Sequence, residues 1–160
     1  MDFRVGIVEG GSAATGKELQ LVIAGGGPAA LAAAIYAGRY DIDHVVLESW
    51  KPGGQAALTA EIENYPGFSS ITGADLTGAM REQALKSGAV FKMESVETAT
   101  EEDGRIAVRT DGGTYLADFL IIATGAAPAT LGVPGESRYY GRGVSFCATC
   151  DAPFSGTKGQ

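Results

Sequence analysis

The stretch Leu21-Val-Ile-Ala-Gly-Gly-Gly-Pro-Ala-Ala30 constrains the fold of this 160-residue chain more than any other. A short apolar run ends in three glycines, and an alanine-rich segment follows, with Pro28 near its start and Gly38 past Ala37. Proline suits a first helical position because its missing N–H would have no helical partner anyway, and glycine just beyond the last turn ends the helix. The order is buried strand, tight turn, helix. The next apolar run, His44-Val-Val-Leu-Glu48, is too short for a helix, so the three segments predict a parallel, right-handed βαβ unit. Gly25, Gly27 and Ala30 fit the spacing Gly-x-Gly-x-x-(Gly/Ala). The first glycine makes the turn, the second lets the backbone approach a pyrophosphate, and the small third residue keeps helix and strand close. Glu48 ends the second strand about twenty residues on, where a carboxylate accepts ribose hydroxyls. The same carboxylate repels a ribose 2′-phosphate, which favours FAD or NAD over NADP.

Residues 49–72 read as a long polar loop holding Gly53-Gly-Gln55 and Glu63-Asn-Tyr-Pro-Gly-Phe68, and loops of this length are commonly functional. A second helix is expected after Thr72, with Asp75 as capping partner, Leu76, Met80 and Ala84 on its apolar stripe, and Gly88 at its end. Strands are expected at Val90 to Met93, Val96 to Thr100, Arg105 to Thr110 and Thr114 to Ala117, separated by Glu-Asp-Gly and Asp-Gly-Gly turns. Phe119 to Gly125 then resumes the buried-strand character of the opening. The fold class is therefore α/β, a Rossmann-like domain whose parallel sheet carries a β-meander insertion. Residues 1–19 read as an N-terminal extension, 20–131 as the first half of the nucleotide domain, and 132–160 as a linker and the start of a second domain.

Cys147 and Cys150 are the chain's only cysteines, set two residues apart in Phe146-Cys-Ala-Thr-Cys-Asp151. Two thiols at this spacing can close a small disulfide ring and act as a two-electron switch, and Asp151 beside them can manage the protons. Zinc needs four ligands, and two thiols with the single His44 fall short, so no metal is expected. A ring this small restricts the unfolded chain little, which also disfavours a structural bridge. A nicotinamide delivers hydride, whereas a disulfide accepts electrons well from a reduced flavin, so the dithiol favours FAD as the nucleotide. The formal charge of −7 speaks against nucleic acid, no apolar run approaches membrane-spanning length, and the default compartment is the cytoplasm.

Taken in order, the glycine turn, Gly53-Gly-Gln55, Glu63 to Phe68, Ala123-Thr-Gly125 and Cys147-Ala-Thr-Cys-Asp151 closely resemble the low-molecular-weight thioredoxin reductases of bacteria and archaea, from about Leu21 onward. The resemblance implies an FAD enzyme in which NADPH reduces flavin, flavin reduces the cysteine pair, and the pair reduces thioredoxin, commonly as a homodimer. By position it makes Gly25, Gly27, Pro28, Ala29 and Ala30 the pyrophosphate cradle and Glu48 the ribose ligand. Gly54, Gln55, Thr59 and Asn64 would face the flavin end, Val96 would contact the adenine through its backbone, and Ala123, Thr124 and Gly125 would pack on the cofactor. Cys150 would face the flavin, Cys147 would exchange with substrate disulfide, and Asp151 would be the general acid. Family members are about twice as long, and the NADPH site is not in this chain, so NADPH-driven turnover by the chain alone is not expected. Two alternatives stand beside this reading: a non-catalytic FAD-binding or interaction module, and a related disulfide reductase that uses another electron donor or partner.

Overall fold

The computed structural model describes residues 16–127 and 129–147 and divides into two compact units, Met1–Gly125 and Ala126–Gln160. The first unit is built on one six-stranded sheet in the order β3-β2-β1-β6-β5-β4. Its strands are β1 (Lys17–Ala24), β2 (His44–Glu48), β3 (Val90–Met93), β4 (Val96–Glu102), β5 (Arg105–Thr110) and β6 (Gly113–Ile122); α1 (Pro28–Arg39) links β1 to β2, and α2 (Gly73–Lys86) precedes β3. The neighbours β3, β2, β1 and β6 run parallel, whereas β6, β5 and β4 form an antiparallel meander. Asp103 and Gly104, both with positive φ, turn β4 into β5, the backbone that a tight hairpin with right-twisted strands demands.

Alternation along the strands sends successive side chains to opposite faces of the sheet. Leu21, Ile23 and Val46 meet Ala30, Ala34 and Ala37 of α1, whose alanines let helix and sheet approach closely. Val22, Val45 and Leu47 point the other way and are buried with Ala99, Val108, Tyr115 and Ala117 of the meander. Leu31 joins Leu76 and Met80 and locks α1 to α2. Thr72 caps α2 as expected, accepting from the Asp75 backbone N–H at 3.1 Å while its hydroxyl donates to the Asp75 carboxylate at 2.7 Å.

Two departures from the sequence reading have local causes. β1 starts at Lys17, inside the expected extension, because alternate residues there are already half-buried strand: Leu19 is buried, while Glu18 and Gln20 face solvent. β6 is one strand where two were expected, since Asp118 leaves the backbone extended and turns its carboxylate outward to Arg105 Nε at 3.3 Å. The same guanidinium donates to the carbonyls of Leu19 and Leu116 and so ties β1 to β6. β3 joins the parallel half at the β2 edge, where α2 returns the chain.

In the second unit, α3 (Glu136–Tyr139) is preceded by a loop that its own first residue holds: the buried Glu136 carboxylate accepts from the backbone N–H groups of Leu131 at 2.9 Å and Gly132 at 2.8 Å. The rings of Tyr140 and Phe146 meet at a tilt of 40°, with centroids 5.4 Å apart. Among the described residues no helix is long and apolar enough to cross a membrane.

Candidate functional site

The carboxyl ends of β1, β2 and β6 lie side by side, and the glycine turn emerges from the central one. Gly25 N–H donates to the Leu47 carbonyl at 2.7 Å, and Ala123 N–H donates to the Ala24 carbonyl at 2.8 Å. Gly25 has φ +110, and a Cβ there would collide with the Ala123 carbonyl oxygen, so only glycine fits between the two strand ends. Gly27 is the N-cap of α1, with no side chain accepting from the helix's first N–H groups, and a Cβ at Gly27 would meet nothing within 4 Å. The start of α1 is thus an open set of N–H donors at the positive end of a helix dipole, with Pro28 first, Ala29 exposed and Ala30 fully buried against the sheet.

Glu48, the last residue of β2, is half-buried, and its Oε1 accepts from the backbone N–H of Trp50, two residues on, at 2.8 Å. The carboxylate lies over the turn: a Cβ at Gly26 would stand 2.7 Å from Glu48 Oε2. One carboxylate oxygen is therefore fixed by the chain's own backbone, and the group is held beside the phosphate cradle, where ribose hydroxyls can donate to it. A recess extends from here, lined by Gly26, Leu31, Glu48, Arg81, Phe91 and Met93 among others.

The 3-10 turn Gly54–Leu58 packs against the glycine turn from the loop side. Gly53 N–H donates to the Gly26 carbonyl at 2.9 Å, and a Cβ on Gly54 would stand 3.2 Å from Gly27 Cα. Gln55 is exposed at its start, and the Thr59 carbonyl anchors it by accepting from Gly73 N–H at 2.9 Å. Ile62 and Ile71 pair as an isolated antiparallel bridge that pinches the loop, leaving Asn64 exposed within it. Ala123 is half-buried at the end of β6, and Thr124 and Gly125 follow, exposed. Gly25, Gly27, Glu48, Gly54 and Ala123 are thus assembled at one end of the sheet. The Val96 side chain packs with the meander cluster, and the adenine contact expected at this position is one of its backbone.

In the second unit Cys147 is oxidised in a disulfide, and its backbone N–H donates to Ser145 Oγ at 3.0 Å. Cys150 and Asp151 lie outside the described residues. No group of three or more His, Cys, Asp or Glu side chains suited to a metal ion occurs among the described residues.

Sequence reasoning missed two participants. The Trp50 N–H is a backbone group and leaves no mark in the side-chain pattern. Arg81 does leave one, since it follows Met80 directly and borders the apolar stripe of Leu76, Met80 and Ala84, where a charged residue is out of place.

Comparison with known proteins bears on the same residues. The family model of the pyridine nucleotide-disulphide oxidoreductases matches residues 19–160. A thioredoxin reductase of Treponema pallidum is 44% identical over 138 residues, which cover 86% of this chain and 45% of that protein. The solved thioredoxin reductase of Streptococcus pyogenes superposes with a TM-score of 0.75 at 39% identity, covering 88% of this chain and 46% of that one. That of Lactococcus lactis gives 0.73 at 39% identity, covering 85% and 45%. The chain spans about 45% of the length of the curated relatives it matches. With the glycine turn, its carboxylate and an oxidised cysteine in place, and with the match running from the first strand through the cysteine motif, the chain belongs to the pyridine nucleotide-disulphide oxidoreductase family.

Proposed function

We propose that the chain carries the FAD site and the redox-active dithiol of a thioredoxin-disulfide reductase that takes its electrons from NADPH. The observation that carries this reading is the uncapped start of α1 at Gly27, with the Glu48 carboxylate fixed beside it by the Trp50 N–H. The open N–H groups suit a pyrophosphate, and the carboxylate suits unphosphorylated ribose hydroxyls. That combination fits the adenosine half of FAD and disfavours NADP at this position. When bound, FAD supplies a relay that accepts hydride from a nicotinamide and passes two electrons to a disulfide.

The chain's own residues divide the work. Gly27 and the first turn of α1 hold the pyrophosphate, Glu48 orients the ribose, and Gly54, Gln55, Thr59, Asn64 and Ala123 to Gly125 serve the flavin end. Once Cys147 and Cys150 are reduced, the Cys147 thiolate attacks the partner's disulfide, forming a mixed disulfide and releasing one partner thiolate. Cys150 then attacks Cys147, closing the ring and releasing the second partner thiol, so two electrons leave the pair and the partner takes up two protons. Asp151, next to Cys150, is the group placed to move a proton in that exchange. The proposed partner is thioredoxin or a thioredoxin-like protein, and the reducing cytoplasm is the setting in which such a pair turns over.

The test is direct. The chain is incubated with FAD, freed of excess cofactor and read by visible absorbance; it is then reduced and mixed with oxidised thioredoxin, beside a Cys147→Ser variant. Retained flavin together with Cys147-dependent reduction of thioredoxin is the expected result. A colourless protein whose dithiol reduces nothing contradicts the proposal.

A further inference from the structure

We infer that Arg81 is a specificity-determining residue for the adenine ring of the dinucleotide, an inference that rests on the FAD reading above. Arg81 stands on α2 next to Met80 and lines the recess that begins at Glu48. Its guanidinium lies over the Phe91 ring, with Cζ 5.0 Å from the centroid. Nε is shut off from solvent and has no hydrogen-bond partner.

Neither Glu82 nor Glu48 pairs with this cation. Glu82, its neighbour in the chain, pairs with Lys86 at 2.8 Å, and Glu48, in the same recess, accepts from Trp50 N–H. Arg81 thus has no ion pair or hydrogen bond among the described residues. A half-buried guanidinium without an acceptor is costly for a fold to keep, and a ligand that supplies a π face and acceptor atoms removes the cost.

Position selects the part of the nucleotide. The pyrophosphate belongs at the start of α1 and the ribose at the end of β2. The recess continues to Lys92 and Met93 at the end of β3, one strand further out, about 4.8 Å in a sheet. Beside Lys92 its walls there are Leu31, Phe91 and Met93, a mostly apolar lining that suits a neutral heteroaromatic ring. With one face of the guanidinium covered by Phe91, the planar group can stack on the base and aim its edge at a ring nitrogen, which a lysine cannot do.

The experiment measures Kd for FAD and for ADP by calorimetry on the full chain and on Arg81→Leu and Arg81→Lys, at low and high salt, together with the melting temperature of each ligand-free protein. Both variants are expected to melt with the parent and to bind FAD and ADP about tenfold more weakly at either salt concentration, the scale of a desolvated cation–π contact. Full affinity in Arg81→Leu, or in Arg81→Lys should the leucine variant not fold, overturns the inference while leaving FAD binding intact. A deficit that Arg81→Lys repairs, or that high salt abolishes, overturns it in favour of a charge on the phosphates. Parent protein that binds neither FAD nor ADP overturns the FAD reading itself, and this inference with it.

Discussion

Gly25 and Gly27 stand two residues apart in the same turn, yet alanine at each should fail in a different way. At Gly25 the backbone has φ +110, a region that costs a non-glycine residue roughly 1–3 kcal/mol. The added Cβ would also be driven into the Ala123 carbonyl. That oxygen cannot easily withdraw, because the Ala123 N–H is bonded to the Ala24 carbonyl at 2.8 Å and the two strands pair in register up to this point. Losing that hydrogen bond adds about 1 kcal/mol, so Gly25→Ala should cost about 3 kcal/mol before any cofactor is present. Gly27 has φ −78 and ψ −179, extended backbone open to any residue, with open space where the methyl would go. Gly27→Ala should cost the ligand-free fold only about 0.5–1 kcal/mol, the usual penalty for alanine at an N-cap. Its methyl would instead occupy the space a pyrophosphate needs to reach the start of α1. Urea unfolding followed by circular dichroism reads the stability, and flavin fluorescence quenching reads FAD binding. The expected pattern is a destabilised Gly25→Ala and a stable Gly27→Ala that binds FAD at least tenfold more weakly. A stable Gly27→Ala with parental FAD affinity would refute the assignment of the phosphate cradle.

Glu48→Gln keeps an acceptor for the Trp50 N–H but loses the charge over the turn, so it should weaken FAD and ADP binding by roughly 1–2 kcal/mol with little change in melting temperature; calorimetry on both ligands checks this. Leu31→Ala empties a fully buried site between α1 and α2 and should cost about 3–5 kcal/mol in urea unfolding. Tyr115, buried and donating to the Glu94 carboxylate at 2.9 Å, has its phenol pushed up to about 12, first by burial and then by that carboxylate. Its contribution to stability is fully present below pH 10 and is lost as the pH rises toward 12, because the unfolded phenol ionises first. Stability measured across that window should fall less steeply in Tyr115→Phe than in the parent.

The opening βαβ unit was legible because its period changes within a few residues, from continuous apolar strand to glycine turn to alanine helix, and each change has a steric cause. The capping of α2 by Thr72 and Asp75 was legible for the same reason. The start of β1 was not, since Lys17 and Glu18 join the strand through pairing with Tyr115 and Leu116, which lie nearly a hundred residues away. Nor was the unbroken run of β6, where the single polar Asp118 reads as an interruption until its partner Arg105 is known. Gly25, Gly27 and Glu48, which spacing alone singled out, do come together at one end of the sheet. The backbone donor that orients Glu48 and the guanidinium over Phe91 depend on loop and helix packing that no short motif encodes.

A chain with a formal charge of −7 is an unpromising host for a doubly charged pyrophosphate, and the arrangement of donors resolves the conflict. Charges further away than about 8 Å are largely screened at physiological salt, so what matters is the field inside the turn. Beside the glycines lies the Glu48 carboxylate, one of whose oxygens the Trp50 N–H already occupies. The proposed phosphate donors are backbone groups of α1, whose strength owes nothing to the chain's composition. Elsewhere the acidic surplus sits on exposed surface, in places tied up in pairs; the Lys86 ammonium beside Glu82 both satisfies that carboxylate and holds its pKa below the usual value. Removing an exposed acid such as Glu97 should therefore leave nucleotide affinity unchanged, whereas a single methyl at Gly27 should not.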